Sequence, residues 1–206
     1  MPKQSFALES GGNKRLEVSW SGMWGNTTIL LDGKTIGVIP NQKALLSGQE
    51  FVLNDGSILK IQLINMFVTT ELRILRNNQP LPGSSSDPQT RLKISIQAVY
   101  VIAGFNIILG AISLIFNVEL LQQIGVGFGS IIYGLVFLVL GFFVQRKSVI
   151  ALLFAIGVFA LDSIATFFLS ASQGYNTAGL TIVRIIILIG MFQGLGAIKT
   201  LKTKIT

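Results

Sequence analysis

Residues 94–116 read ISIQAVYVIAGFNIILGAISLIF, a mostly apolar segment without a charged side chain. The hydrocarbon core of a bilayer is about 30 Å thick, and a helix of about 20 mostly apolar residues crosses it. Three further segments are also mostly apolar and about as long, namely Val126–Gln145, Ser148–Ser170 and Ala178–Ile198. The sequence therefore predicts four transmembrane helices within residues 94–206, and short connections make sequential helices antiparallel neighbours.

The composition of the whole chain agrees with a membrane protein. Of its 206 residues 50% are hydrophobic and 12% are charged, whereas about a quarter of the residues in soluble domains are charged. Residues 1–93 carry ten Lys/Arg and seven Asp/Glu, and residues 94–206 carry six and two. The change falls near PLPGSSSDP, residues 80–88, a stretch typical of turns and linkers. We therefore predict a soluble domain over 1–80 and a linker over 81–93.

The soluble part has the period-two pattern of β-strands. Leu16, Val18 and Trp20 alternate with polar residues and share one face of a strand. Asp-Gly pairs at Asp32-Gly33 and Asp55-Gly56 separate apolar runs, and such a pair favours a hairpin because a type I′ turn needs two positive φ angles. Six or seven strands within about 70 residues are typical of an antiparallel sandwich or a small barrel. The predicted fold is thus a small all-β domain followed by a four-helix transmembrane bundle.

Two resemblances accompany these motifs. The two Asp-Gly hairpins and the pair Trp20 and Trp24 resemble the β domain of the Fas apoptotic inhibitory molecule family. The whole chain, with the linker before four hydrophobic segments, is similar to uncharacterised cyanobacterial-type integral membrane proteins of bacteria. The resemblance implies a β domain on a membrane anchor and brings no assigned activity. The tryptophans themselves could form an aromatic binding patch, but we favour closure of one end of the β core, since aromatics dominate small cores.

Basic residues flank the predicted helices on one side of the membrane only. The opposite loops, Asn117–Gly125 and Ala171–Thr177, contain neither Lys nor Arg. Because positively charged loops stay in the cytoplasm, we predict that both termini and the β domain are cytoplasmic, in a bacterial inner or thylakoid-type membrane. The basic residues at this side are Arg91, Lys93, Arg146, Lys147, Lys199, Lys202 and Lys204.

Two ionisable residues, Asp162 and Arg184, lie within the third and fourth predicted helices. Counted from Ser170 and Ala178, at 1.5 Å of rise per residue, they lie within about 3 Å of the same depth. Antiparallel neighbours at one depth can form an ion pair, which lowers the cost of placing both charges in a bilayer. We favour a structural clamp between two helices, and the alternative is a proton or substrate site at Asp162.

Further polar and small residues within the spans complete the candidate set. Hydroxyl groups in apolar helices commonly bond to their own backbone, whereas an amide can bridge two helices. The spacing Gly190-x-x-x-Gly194 permits close helix approach, either inside the bundle or in a dimer. The polar candidates are Asn106, Ser163, Thr166 and Gln193.

The functions open to this chain are limited by the absence of Cys and His. These residues supply most metal ligands, thiolate nucleophiles and general bases, so we expect no enzyme, no metal and no cofactor. The net charge of +7 follows from topology, and without a basic stripe we expect no nucleic-acid binding. We predict a membrane-anchored interaction or assembly module whose partners are the lipid bilayer and another membrane protein or a second copy. The alternative is a small oligomeric transporter or channel subunit that uses Asp162 and Arg184.

Overall fold

The computed structural model of the chain describes residues 1–65, 70–119, 126–172 and 178–203. The chain divides into two compact units, Met1–Thr90 and Arg91–Thr206. We refer to them as the β unit and the helical unit. The first boundary therefore lies beyond residue 80, where the sequence predicts the end of the soluble domain.

Two antiparallel sheets of four strands form the described part of the β unit. Its elements are β1 Lys3–Ala7, β2 Lys14–Ser21, β3 Gly25–Leu31, β4 Lys34–Ile39, the short helix α1 Gln42–Ser47, β5 Gln49–Val52, β6 Ile58–Asn65, β7 Thr70–Arg76 and β8 Gln79–Pro80. The strand orders are β1-β2-β3-β4 and β5-β6-β7-β8. Buried side chains from both sheets belong to one hydrophobic core, so the arrangement is a sandwich and the predicted fold class is confirmed.

The core follows the alternation read from the sequence. Leu16 and Val18 of β2 are fully buried, and Ile29 of the paired strand β3 is also buried. On the second sheet Leu59, Ile61 and Leu63 of β6 repeat the pattern. Because side chains of a strand alternate between faces, β2, β3 and β6 each contribute every second residue to the space between the sheets.

The two Asp-Gly hairpins differ in their turns. Asp32 and Gly33 have φ angles of 51° and 77°, as the predicted type I′ turn requires. In the second hairpin Gly56 has a φ of 78° but Asp55 is not in the left-handed region, so this turn is not type I′. Its geometry differs because the Asp55 carboxylate accepts hydrogen bonds from the backbone N–H and the hydroxyl of Ser57, an Asx-type arrangement.

The segment predicted as a linker is packed against the β unit. Leu81 is 2% exposed and belongs to the core of the sandwich. The Ser85 hydroxyl donates to the Leu72 carbonyl at 2.8 Å, and Ser84 is buried. A two-residue turn at Asn77 and Asn78, both at positive φ, forms β8 and returns the chain to the sheet. The turn and linker composition at residues 80–88 therefore marks a compact, ordered end of the domain.

Four long helices follow, and each is long and apolar enough to cross a membrane. They are α2 Pro88–Ile115, α3 Phe128–Gln145, α4 Val149–Ser172 and α5 Ala178–Thr203. Helix α2 begins before the predicted start at Ile94 because Asp87 caps it, accepting from the Gln89 N–H and the Thr90 hydroxyl. Proline at the first helical position suits such a start, since its missing N–H needs no partner there.

The helices pack around an apolar interior. Buried residues from all four helices form one cluster, which includes Val99, Phe137, Leu152 and Met191. Large apolar side chains such as Ile150, which is 80% exposed, lie on the outer surface of the bundle. Exposed apolar residues on this scale are typical of helices that contact lipid, and they fit an integral membrane protein.

Candidate functional site

The structure brings Asp162 of α4 and Arg184 of α5 together. Arg184 Nη1 donates to Asp162 Oδ2 at 2.9 Å. The side chain of Arg184 is 20% exposed and that of Asp162 is 40% exposed. The two charges neutralise each other within the apolar length of the helices, which is the arrangement that makes ionisable residues tolerable at membrane depth.

An aromatic row adjoins this ion pair. The Arg184 guanidinium carbon lies 6.0 Å from the centroid of the Phe159 ring, within range of a cation–π interaction. Phe159 contacts Phe137 of α3 edge to face, and Phe137 packs against Tyr133 with ring centroids 4.8 Å apart. Among the described residues the buried Tyr133 hydroxyl has no hydrogen-bond partner. Tyr133 was not a candidate from sequence, and a lone tyrosine in an apolar segment gives no signal that could have identified it.

The remaining polar candidates bond mainly to their own helices. Asn106 Nδ2 donates to the Ile102 carbonyl at 2.9 Å, so this contact lies within α2 and does not join two helices. The Ser163 hydroxyl donates to the Phe159 carbonyl, and the Thr166 hydroxyl donates to the Asp162 carbonyl. Each of these three contacts satisfies a donor locally.

Gln193, the fourth polar candidate, is half-buried on α5. It lies toward the end of that helix where Lys199 and Lys202 follow. The structure therefore places it apart from Asp162, and the predicted polar residues do not converge on one position.

The glycine pair of α5 contacts Ser95 of α2. The Ser95 hydroxyl donates to the Gly190 carbonyl at 2.7 Å and to the Arg91 carbonyl at 3.0 Å. A Cβ atom at Gly194 would lie 2.2 Å from Ser95 Oγ. In this structure the spacing brings α5 close to α2 inside the bundle. Ser95 was missed by the sequence reasoning, although a serine within an apolar span is itself a signal for such a contact.

A second close approach joins α2 and α3. A Cβ atom at Gly134 would lie 2.7 Å from the carbonyl oxygen of Ala103. Only the absence of a side chain at Gly134 allows the two backbones to come this near. Helix α2 therefore packs closely on both α3 and α5, which leaves little space between the helices at these levels.

The basic residues that flank the spans lie at the ends of helices that meet on one side of the bundle. Helices α2 and α4 begin at this side, and α3 and α5 end there. Lys147, with a φ of 60°, forms the tight turn between α3 and α4, and the Arg146 guanidinium lies 4.3 Å from the Phe142 ring centroid. Lys204 and most of the two opposite loops, residues 120–125 and 173–177, lie outside the described residues.

In the β unit a charged network forms around Arg76. Its Nε donates to the Ser57 hydroxyl at 3.0 Å and its Nη1 donates to the Leu8 carbonyl at 3.3 Å. Its Nη2 forms an ion pair with Asp55, and Nη1 forms another with Glu9. Hydrogen bonds from the Ser57 hydroxyl and backbone N–H, followed by that from Arg76, lower the pKa of Asp55 to about 2. Sequence reasoning missed this network because its members come from three separate segments.

Trp20 and Trp24 stack on each other with ring centroids 4.3 Å apart. Both rings are partly buried and pack against the core of the sandwich. This is the structural role that we favour from the sequence, and the rings also retain an exposed edge at the end of the sandwich.

The structure thus defines a class: an apolar four-helix bundle of the integral membrane type that follows an N-terminal β sandwich. Within the described residues no three His, Cys, Asp or Glu side chains converge as metal ligands would. No protein-family model matches the sequence, and no curated protein or solved structure matches it significantly. The resemblance to the Fas apoptotic inhibitory molecule family stays a prediction.

Proposed function

We propose that this chain is a non-enzymatic membrane protein whose helical unit anchors a β domain that binds a partner or assembles with other copies. One observation supports this proposal above the others. The polar side chains of the spans at Asn106, Ser163 and Thr166 bond to their own backbones, and Asp162 bonds to Arg184. Polar groups that are already satisfied in this way stabilise helices and are poor ligands for a passing solute.

The packing of the bundle supports the same proposal. A transport path needs a polar, hydrated space through the membrane, lined by groups that replace water around the solute. Phe137, Leu152 and Met191 are fully buried in the interior of the bundle, and Gly134 and Gly194 allow backbone-level contact between helices. Under the proposal, Asp162 and Arg184 form a clamp that joins α4 to α5.

The proposal includes an orientation. Positively charged residues near the ends of transmembrane helices remain in the cytoplasm, and in the sequence they lie on one side of all four spans. Both termini and the β unit are therefore cytoplasmic in our proposal, in a bacterial inner or thylakoid-type membrane. The β unit would meet its partner there, either another membrane protein or a second copy of the chain.

A second candidate function is an oligomeric transporter or channel subunit. The observation that favours it is the 40% exposure of the Asp162 side chain at the surface of the bundle. A carboxylate that faces hydrocarbon is costly, and a second copy or a water-filled space between copies would lower this cost. In that arrangement Asp162 would serve as the ion- or proton-binding group and Arg184 as its counter-charge.

Two measurements test these functions. In the first, the chain is reconstituted in vesicles with a trapped pH-sensitive dye, beside the variant Asp162→Asn. The anchor proposal predicts a proton flux equal to that of empty vesicles for both proteins. A flux in the wild type that Asp162→Asn abolishes would contradict the anchor proposal and support the transporter.

The second measurement tests the β unit as the binding part. The full chain and a variant without residues 1–80 are cross-linked in the native membrane, isolated in mild detergent and analysed by mass spectrometry. We expect a stoichiometric partner, or a cross-linked second copy, with the full chain and not with the truncated one. Equal recovery from both would contradict a role for the β unit in binding.

A further inference from the structure

The turn between β2 and β3 has an exposed apolar residue at its middle position. Met23 is 87% exposed and lies between Trp20 and Trp24 in the sequence. The rings of these two tryptophans stack at an interplanar angle of 19°. We refer to residues 20–25 as the apolar tip. A methionine this exposed, next to two partly buried tryptophans, forms an apolar surface that the described residues do not cover.

The backbone of the apolar tip is held in a defined shape. Gly22 and Trp24 have positive φ angles of 52° and 64°, and the Ser21 hydroxyl donates to the Gly25 carbonyl at 2.9 Å. A non-glycine residue such as Trp24 rarely adopts this conformation. The loop therefore presents Met23 outward in the folded state, and ordering it on binding costs little entropy.

The apolar tip and the strand that follows it carry no charge. Residues 19–31 contain no charged side chain. Two neighbouring segments adjoin the tip, because Trp20 N–H donates to the Pro2 carbonyl and Asn26 N–H donates to the Pro40 carbonyl. The second segment carries Lys43 close by, and Lys3 of the first segment pairs with Glu17 of β2 at 3.3 Å. An uncharged apolar centre with a lysine beside it matches the interfacial layer of a membrane that contains anionic lipid.

The bilayer is also the surface that this domain meets most often. Leu81 is packed in the β core, and helix α2 begins at Pro88, so a short stretch of chain connects the β unit to its anchor. A tether of this length gives the membrane surface a high effective concentration. A small apolar contact that would be too weak for a free protein can therefore persist in a tethered one.

We propose that the apolar tip inserts into the interfacial layer of the bilayer that holds the helical unit, with Met23 and the edges of Trp20 and Trp24 among the lipid headgroups. Tryptophan is the residue that prefers this layer, because its ring is apolar and its N–H is polar. The contact holds the β unit against the membrane surface and leaves its other faces open to a protein partner. It does not depend on the identity of that partner.

The chain offers a direct test because its two tryptophans both lie in the apolar tip. Intrinsic tryptophan emission of the full chain therefore reports on this loop alone. The chain is reconstituted in vesicles that contain phosphatidylglycerol and lipids brominated at either a shallow or a deep position of the acyl chain. We expect shallow bromine to quench the emission strongly, deep bromine to quench it less, and aqueous acrylamide to have reduced access.

Matched variants separate insertion from mere proximity. Met23→Asp places a charge at the apolar tip without disturbing the core, and we expect it to abolish most of the bromine quenching and to restore acrylamide access. The control is Val52→Asp, because Val52 lies on β5 and is 75% exposed. Bromine should quench the tryptophan emission of this variant as strongly as that of the wild type. Circular dichroism checks that both variants remain folded.

Several outcomes would overturn the proposal. Emission that is equal in brominated and ordinary vesicles would show that the tip does not reach lipid. Quenching that survives Met23→Asp would show that the two rings lie near lipid without insertion of Met23, which contradicts the proposed insertion. Shielding from acrylamide without bromine quenching would indicate a protein contact at the tip. None of these results alters the flux or cross-linking tests, so failure here is distinguishable from failure of the proposed function.

Discussion

Arg76 of the β unit and Arg184 of the helical unit have nearly equal exposed fractions, 19% and 20% of their side chains, yet their surroundings differ. Arg76 donates to a serine hydroxyl and a backbone carbonyl and pairs with two carboxylates. Arg184 pairs with Asp162 and faces one aromatic ring. Arg76 lies on the surface of a β sandwich, whereas Arg184 lies within a helix long and apolar enough to cross a membrane.

The comparison shows that partial exposure has opposite meanings in the two units. In the β unit, water replaces a partner that is lost, and several partners share the charge, so each single contact matters little. Within a bilayer no water would replace a lost partner in the helical unit, and one ion pair neutralises two charges that are otherwise expensive there. The stability of the chain should therefore be far more sensitive to single charge changes in the spans than on the sheets.

The largest expected effect is on the ion pair of the spans. Asp162→Asn and Arg184→Gln should each lower the free energy of unfolding in micelles on the order of 3 kcal/mol, because the other partner is left uncompensated. The double variant should recover most of this loss, and such coupling is the signature of direct contact. Arg15→Gln is the control, since its pair with Asp32 is exposed to water and should change stability little. Additive losses in the double variant would contradict the clamp.

A smaller effect is expected where helices α2 and α5 touch. Gly194→Val should lower the free energy of unfolding by about 1–3 kcal/mol, the usual cost of overpacking, because its Cβ would overlap Ser95. Gly196→Val is matched in chemistry and helix, and a Cβ there has nothing within 4 Å. Chemical denaturation of both variants in the same micelle measures the difference. Equal losses would show that α2 does not pack on Gly194.

The smallest effect concerns the network around Asp55. Its pKa in the folded state is lowered to about 2 from an ordinary value of 3.8, so the unfolded chain takes up the proton first as the pH falls. The stabilisation is present above about pH 4 and is lost as the pH falls toward 2. Tryptophan fluorescence follows unfolding of the β unit across this range. Asp55→Asn should make the stability of the β unit depend less on pH between about 4 and 2. An unchanged pH dependence would contradict the lowered pKa of Asp55.

The elements that are local in sequence could be predicted, and those that depend on distant contacts could not. The Asp32-Gly33 turn follows from two adjacent residues that tolerate positive φ, and the four spans follow from apolar length alone. The early start of α2 was missed because the apolar pattern begins only at Ile94, whereas the helix begins at the Asp87 cap. A capping residue lies outside the periodic segment and gives no hydropathy signal.

The candidate site divides in the same way. Asp162 and Arg184 could be paired from sequence because antiparallel helices with short connections fix their relative depth. Ser95 contacts Gly190, which is 95 residues away in the sequence. Arg76 contacts Leu8, which is 68 residues away. Such contacts depend on how helices and sheets pack in three dimensions, which hydrophobic periodicity does not determine.

We propose that the helical unit crosses the membrane four times with its basic end in the cytoplasm, and the chain suits a direct measurement of this orientation because it contains no cysteine. Single cysteines are introduced at Lys93 and Thr200 near the basic end and at Asn117 and Ser172 near the other end, all exposed positions. Intact cells are then treated with a membrane-impermeant maleimide. We expect labelling at Asn117→Cys and Ser172→Cys, and protection of Lys93→Cys and Thr200→Cys until the cells are opened. Labelling of Lys93→Cys or Thr200→Cys in intact cells would contradict it.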